Sequence, residues 1–502
     1  MPRFLENPKN KLIIILFFAL GIRLIGIPSR PIWYDEAFSI LFSEKGLSAM
    51  LYGTLSQTAT GSADIHPLGY YTILWAWMKV FGQSVPAARL FSVFISLASL
   101  FLIYQIARNL FNEKTAEIAA LLFSILPFQV HFAQEIRMYS LLSFWLLLAT
   151  FSFLRGRNGN WKWWILFAAA SALAQYTHNL AAVYLIPLAV TPLIPKKWRI
   201  FKSVVVASIV SILLYLPWLM QLPAQFAKVQ SSYWVERPGI EKLFTLILFY
   251  LPHLPLPPNL LLPGLLIASL TIALAVFQML VAKKKEPDAA NKILWLAYLA
   301  FTPPILLWSV SQFVPVYIER ALLPSHAIFC VWLAAAFTQT KLPRAIQILV
   351  SIFIVASSVT GIYQHITYKG FPYGQYSALN ISIQSRIKQG DVIIHSSKLS
   401  YLPTFYFNQN IQQGFIIDPP NSSVDSLAPA TREILKVNEI ENIEKGTVHA
   451  SRIWFVIYQQ SIDELKSQGY QTHPQLKYLD QQFKLESFAA WDDLKIYLYK
   501  RP

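Results

Sequence analysis

Several short stretches of the chain carry side chains able to move a proton or hold an anion. Trp33-Tyr34-Asp35-Glu36 sets two carboxylates behind two aromatic rings. A carboxylate at a membrane surface can take the proton of a hydroxyl or amine as it attacks an electrophile. Asp35 is therefore a candidate general base, with Glu36 beside it. Acids also favour the first turn of a helix, as caps or as partners of the helix dipole, and spacing leaves both readings open. His66-Pro67-Leu68-Gly69-Tyr70-Tyr71 offers His66 as a donor to a phosphate or sugar; a wetted histidine before a proline-led helix is the plainer account. Gln134-Glu135-Ile136-Arg137-Met138-Tyr139 puts an acid and a guanidinium two residues apart, with Tyr139 close behind. Glu135, Arg137 and Tyr139 could hold sugar hydroxyls and a phosphate, or simply form a polar turn. Tyr176-Thr177-His178-Asn179 adds His178. Arg89 and the pair Glu319-Arg320 open apolar runs. Guanidinium groups match phosphate oxygens, although arginines at such places also snorkel toward the interface.

The elements that must position these residues are membrane spans. Of 502 residues, 55% are hydrophobic and 14% charged, against about 25% charged in an ordinary soluble domain. Apolar runs of roughly 18 to 22 residues recur, long enough for about 30 Å of hydrocarbon. We read eleven spans: 11–27, 89–110, 115–131, 138–155, 161–177, 178–194, 200–220, 259–281, 292–312, 320–338 and 343–363. The first lacks a cleavage site and is taken as an anchor. The net charge of +16 does not point to nucleic acid. Residues 365–502 hold 14 basic and 13 acidic side chains, so nearly all the excess belongs to residues 1–364. With the N-terminus inside, 18 of the 28 basic residues before 365 fall on inner turns, as the positive-inside rule asks. Asp35, Glu36, His66, Glu135, Arg137, His178, Glu319 and Arg320 then lie together at the outer face, at span ends rather than at mid-membrane, where charge is costly. Cys330 is the only cysteine, so no disulfide or Cys-type metal site forms within the chain.

The expected organisation is a membrane domain over 1–364, with a long first outer loop at 28–88, and a small outer α/β domain over 365–502. Within the loop, Ala37 to Leu51 reads as an amphipathic helix lying on the membrane, and Leu68 to Phe81 as a short interfacial helix rich in Trp and Tyr. The loop 221–258 folds over the same face. After Tyr363 we expect a helix at Ser382–Gln389, strands at Asp391–His395, Phe405–Phe407, Gly414–Ile417 and Arg452–Tyr458, a helix at Ser461–Gln468, and strands at Phe483–Phe488 and Leu494–Tyr499.

In order and spacing, these motifs resemble the GT-C membrane glycosyltransferases of glycosyltransferase family 39, which includes protein O-mannosyltransferases and lipid A aminoarabinose transferases. Tyr-Asp-Glu after a first span, His-Pro-Leu-Gly-Tyr-Tyr, Ala88-Arg89-Leu90 and Gln-Glu-Ile-Arg-Met-Tyr carry the resemblance from Leu12 to about Pro195, and Glu319-Arg320-Ala321-Leu322-Leu323-Pro324 extends it thinly. The C-terminal domain lies outside it. The resemblance implies an α-helical polytopic fold and a sugar donor on a polyprenyl phosphate. It also implies transfer outside a bacterial plasma membrane to a protein, lipid or cell-envelope acceptor. Residue by residue, it puts the catalytic carboxylate at Asp35 with Glu36 beside it, the second acid at Glu135, and phosphate ligands at Arg89, Arg320 and His66. A divalent cation held by Asp35 and Glu135 fits carboxylate chemistry but is not demanded. The chain differs from the aminoarabinose transferases in its second outer turn and its shorter C-terminal membrane region.

Single displacement at the anomeric carbon by an acceptor that Asp35 deprotonates would invert the sugar. A transporter or flippase for a lipid-linked sugar is the rival; it would favour ionisable groups near the midplane and paired broken helices. A receptor presenting the C-terminal domain is a second rival.

Overall fold

The computed structural model of the chain describes residues 7–59, 61–194, 196–232, 234–418 and 427–502. They pack as two compact units. One comprises Met1–Ile27, Ile65–Ile73 and Pro86–Thr367, the other Pro28–Asp64, Leu74–Val85 and Tyr368–Pro502. Most of the loop 28–88 thus packs with the C-terminal residues, not with the membrane part to which the sequence assigns it.

In the first unit each of the eleven expected spans is helical: Pro8–Leu24, Val85–Leu110, the pair Glu113–Ile125 and Pro127–Ala133, Tyr139–Gly156, Lys162–Thr177, Ala181–Val190, Trp198–Leu219, Pro258–Lys285, Pro287–Ser311, Leu323–Thr338 and Arg344–Thr367. Among the described residues, seven helices can cross a membrane by length and composition, or eight if the bent pair counts as one span. Pro8–Leu24 and Lys162–Thr177 have 17 and 16 residues, about 25 Å of helix against about 30 Å of hydrocarbon, and Ala181–Leu193 is shorter still. The loop 221–258 contains two further helices, Leu222–Ser232 and Glu241–Tyr250. Leu323 through Ala336 is buried without a gap, as befits a central helix that is apolar all round. Leu213, Leu262, Leu270 and Val359 on three other long helices are each more than half exposed, a surface suited to lipid.

The bent pair turns by 61°. Leu126 is extended and Pro127 opens the second piece. Pro127 has no N–H to give the Phe123 carbonyl four residues back. Fully buried Arg23 takes that place: Nη2 donates to the Phe123 carbonyl at 3.1 Å, Nη1 to that of Ser124 at 3.2 Å, and Nε to Ser96 Oγ at 3.0 Å. Arg23→Met should leave these acceptors bare at about 1–3 kcal/mol each. We expect a clearly lower thermal midpoint in detergent; an unchanged midpoint would show that the break is held by other contacts.

The second unit is built on a six-stranded sheet. A two-residue hairpin, β1 (Gln57–Thr58) and β2 (Gly61–Ser62), precedes it. The sheet strands are β3 (Asp391–His395), β4 (Gln413–Ile416), β5 (Glu439–Ile440), β6 (Arg452–Tyr458), β7 (Lys484–Trp491) and β8 (Leu494–Lys500), in the order β5-β4-β3-β6-β8-β7. The β5-β4-β3-β6 side is parallel and the β6-β8-β7 side antiparallel. Central β6 is buried at every residue. The expected strand Phe405–Phe407 is instead the end of the helix Lys398–Phe407, and the expected helix at Ser382–Gln389 lies earlier, at Tyr376–Gln384.

The expected membrane-lying helix from Ala37 to Leu51 is two helices, Tyr34–Ser43 and Leu47–Leu55. Gly46, at φ +81°, turns the chain between them. Protein covers the first: Phe38, Ile40, Leu41 and Phe42 are all buried, and Lys398–Phe407 packs on Tyr34–Ser43; on the second, Leu47, Leu51 and Tyr52 stay exposed. Pro429–Leu435 packs on Leu47–Leu55 so closely that a Cβ on Gly53 would sit 2.4 Å from Ile434 Cδ1. Thr431 Oγ1 donates to the Gly53 carbonyl at 3.0 Å, and the Tyr52 hydroxyl to Glu433 at 2.8 Å. In this unit, then, the C-terminal residues brace the helix that bears Asp35.

Candidate active site

Asp35 and Glu36 belong to the second unit. They are the second and third residues of Tyr34–Ser43, whose N-cap is Trp33 with extended backbone. Asp35 is half-buried and Glu36 fully buried. Asp35 is therefore not the cap; its place is the first turn, where a carboxylate meets the positive end of the helix dipole.

The first unit gathers the other expected residues. His178 follows the helix Lys162–Thr177. Its ring meets His66 edge-on at 5.8 Å and tilts against Tyr139 at 6.0 Å. This contact requires a close approach of chains: a Cβ on Gly69 would lie 2.6 Å from the Tyr176 carbonyl oxygen. The Arg320 guanidinium lies over the Tyr139 ring at 5.1 Å, and Arg137 Nη1 donates to the Tyr71 hydroxyl at 3.4 Å. Glu319, beside Arg320, accepts from Lys242 at 3.1 Å. Arg89 is fully buried and donates from Nη1 to the Ile27 carbonyl at 2.9 Å, so part of this guanidinium holds the chain just past the first helix.

His178 shows how the cluster is charged. The Leu180 N–H donates to His178 Nδ1 at 3.1 Å, so in the neutral ring the proton sits on Nε2. That Nε2 is buried with no hydrogen-bond partner among the described residues. Burial, then His66, Arg137 and Arg320, push the imidazole well below its usual range. The result is a neutral donor facing a cationic neighbourhood, a setting that welcomes an anionic oxygen.

Glu135 is buried at the end of the short helix Pro127–Ala133. Its Oε1 is 2.9 Å from His131 Nε2, one helical turn back. His131 Nδ1 is in turn 2.9 Å from His253 Nε2. With Glu135 ionised, His131 donates to it and accepts from His253. His253 is held at φ +64°, an uncommon conformation for a residue with a Cβ, and its N–H donates to the Leu248 carbonyl at 2.7 Å. The His365 ring lies 4.1 Å from that of His131, and its Nε2 bonds Gln134 Oε1 at 2.9 Å. Gln134 Nε2 donates to the carbonyls of Arg23 and Ile25. Gly361, one turn before His365, makes the approach feasible, since a Cβ there would fall 1.9 Å from the Pro252 carbonyl oxygen. The sequence did not single out His131, His253 or His365. A signal existed for His131, which lies only four residues before Glu135; His253 and His365 are brought in from distant chain and had none.

Among the described residues no three His, Cys, Asp or Glu side chains are grouped to hold a metal ion.

Residues 65–220 match the family of dolichyl-phosphate-mannose-protein mannosyltransferases. The segment contains His66, Arg89, Glu135, Arg137, Tyr139 and His178; Asp35 and Arg320 lie outside it. No curated protein matches the chain by sequence. Solved structures match its fold. ArnT from Cupriavidus metallidurans bound to undecaprenyl phosphate aligns over 97% of both chains, at 10% identity and a TM-score of 0.62. Its apo state aligns over the same shares, at 11% and 0.64. The oligosaccharyltransferase AglB from Archaeoglobus fulgidus, in complex with an inhibitory peptide and a dolichol-phosphate, aligns over 98% of this chain and 74% of its own, at 12% and 0.54. The likeness of fold takes in the C-terminal domain, which the sequence resemblance left out. The helical fold with its small sheet domain is thus the fold of ArnT and AglB, and within it residues 65–220 match the dolichyl-phosphate-mannose-protein mannosyltransferase family.

Proposed function

We propose that the chain transfers a sugar from a polyprenyl-phosphate donor to an extracytoplasmic acceptor, with inversion, at the outer face of a bacterial plasma membrane. The observation that carries this reading is the gathering of His178, His66, Arg137, Tyr139 and Arg320 in one unit, close in sequence to the buried acid Glu135. The donor phosphate would meet Arg137, Arg320 and the His178 Nε2–H. Donors fixed in a water-poor site stabilise a departing phosphate better than water does. Asp35 would deprotonate the acceptor as it attacks the anomeric carbon. The lipids named with ArnT and AglB, undecaprenyl phosphate and dolichol-phosphate, are of the donor class proposed here. The flippase reading is weaker, since these ionisable groups cluster at helix ends and turns.

The test is a polyprenyl phosphate carrying a radiolabelled sugar, added with purified protein to membranes of a deletion strain. Label appearing on a lipid-free or new lipid product supports transfer. Label that crosses the bilayer still attached to its carrier would instead make the protein a flippase.

Two further results are expected. Arg320→Ala should raise the apparent donor KM by about tenfold to a hundredfold, as for a lost hydrogen bond to a charged group, with acceptor KM nearly unchanged. Equal effects on both would remove Arg320 from the donor phosphate. On a Cys330→Ala background, Ser467→Cys should react with an impermeant thiol reagent added to intact cells, and Lys284→Cys should not. The reverse pattern would invert the proposed orientation.

A further inference from the structure

A cavity in the first unit lies far from Glu135. Helix Tyr139–Gly156 runs 18 residues away from Tyr139, about 27 Å, and a cleft of about 740 Å³ opens at its far end. Phe153, Ile200 and Leu294 line its apolar side, and Arg157, Lys197 and Lys292 its charged side, with Asp288 as the one acid. Among the described residues neither the three cations nor Asp288 forms an ion pair. Lys292 donates to the Leu110 carbonyl at 2.8 Å, which leaves its charge uncompensated. The Trp295 N–H and Tyr298 hydroxyl are directed into the protein, to Thr191 Oγ1 and the Pro187 carbonyl, so their rings add apolar wall. Ile194 and Leu294, both on the lining, are more than half exposed, as suits a mouth opening to lipid.

Three cations against one acid leave this apolar cleft with a net positive charge that a bound anion would neutralise. Basic pockets between membrane helices suit phosphate headgroups, whose chains the apolar wall accepts. We propose that this cleft binds an anionic glycerophospholipid. Its phosphate sits among Arg157, Lys197 and Lys292, and an acyl chain lies along Phe153, Ile200 and Leu294. The site is separate from the donor site proposed above and does not depend on it.

Native mass spectrometry of the delipidated full chain, titrated with dioleoylphosphatidylglycerol, tests this. One lipid should bind in preference to dioleoylphosphatidylcholine. At about fivefold per basic residue, the double variant Arg157→Gln/Lys197→Gln should weaken binding about 25-fold. Leu294→Trp keeps every charge but fills the wall, and should also exclude the lipid. Wild-type retention in both variants, or equal binding of the phosphatidylcholine, would overturn the proposal. Displacement of the lipid by millimolar inorganic phosphate would overturn it too, in favour of a free-anion site.

Discussion

Asp35→Asn is expected to stop sugar transfer while leaving the protein level near that of the wild type. Asn keeps the volume of Asp but has no carboxylate with which to take a proton. Removing a general base costs about 10² to 10⁴ in rate. The cost to the helix start is small by comparison. Trp33, not Asp35, is the N-cap, and the Ser39 hydroxyl donates at 2.8 Å to the Asp35 backbone carbonyl, a contact that the substitution retains. The helix also loses a first-turn negative charge, worth about 0.3–1 kcal/mol. Glu36→Gln is the contrast: Glu36 is fully buried within the second unit, so its loss should lower protein level as well as activity. Turnover would be measured at matched protein amounts for both. If Asp35→Asn keeps more than roughly a tenth of wild-type turnover, less than the smallest loss of a general base, the base lies elsewhere.

The helices were legible because lipid demands long apolar runs, and each predicted run is a helix. How many of them cross was less legible, because Pro8–Leu24, Lys162–Thr177 and Ala181–Leu193 come out short and hydropathy does not see the break at Leu126-Pro127. In the outer loop the pattern misled for a physical reason. Phe38, Ile40, Leu41 and Phe42 look like a face for lipid, but they are covered by Lys398–Phe407, hundreds of residues downstream. The same residue types serve both environments, so only the fold tells them apart. Phe405–Phe407 reads as strand from its aromatic residues, yet it ends a helix that packs against Tyr34–Ser43. In the site, charged motifs near span ends were visible one by one. The histidines that meet Glu135 were not, because His253 and His365 arrive there only through the close approaches at Pro252 and Gly361.

That histidine group leads to the second large effect. Glu135→Gln should lower turnover by about 10² or more if the buried carboxylate handles charge in the reaction, since Gln fills the same space and can still bond His131. His131→Phe should then cost about tenfold to a hundredfold, the worth of one hydrogen bond to a charged group, because Phe keeps the ring contacts with His365 and Phe132 but cannot hold the Oε1 of Glu135. A purely structural His131 makes a different forecast: its loss would lower thermal stability and protein level, with kcat per folded molecule and its pH profile unchanged. Measuring kcat against pH for wild type, Glu135→Gln and His131→Phe separates the two. If His131 positions the carboxylate, both variants lower kcat per folded molecule, because the hydrogen-bonded chain from His253 through His131 to Glu135 has lost a member. Should Glu135→Gln turn over at more than about a tenth of the wild-type rate, the carboxylate is an anchor for His131 and the search for the second acid moves to Glu319, the carboxylate beside Arg320 that Lys242 holds.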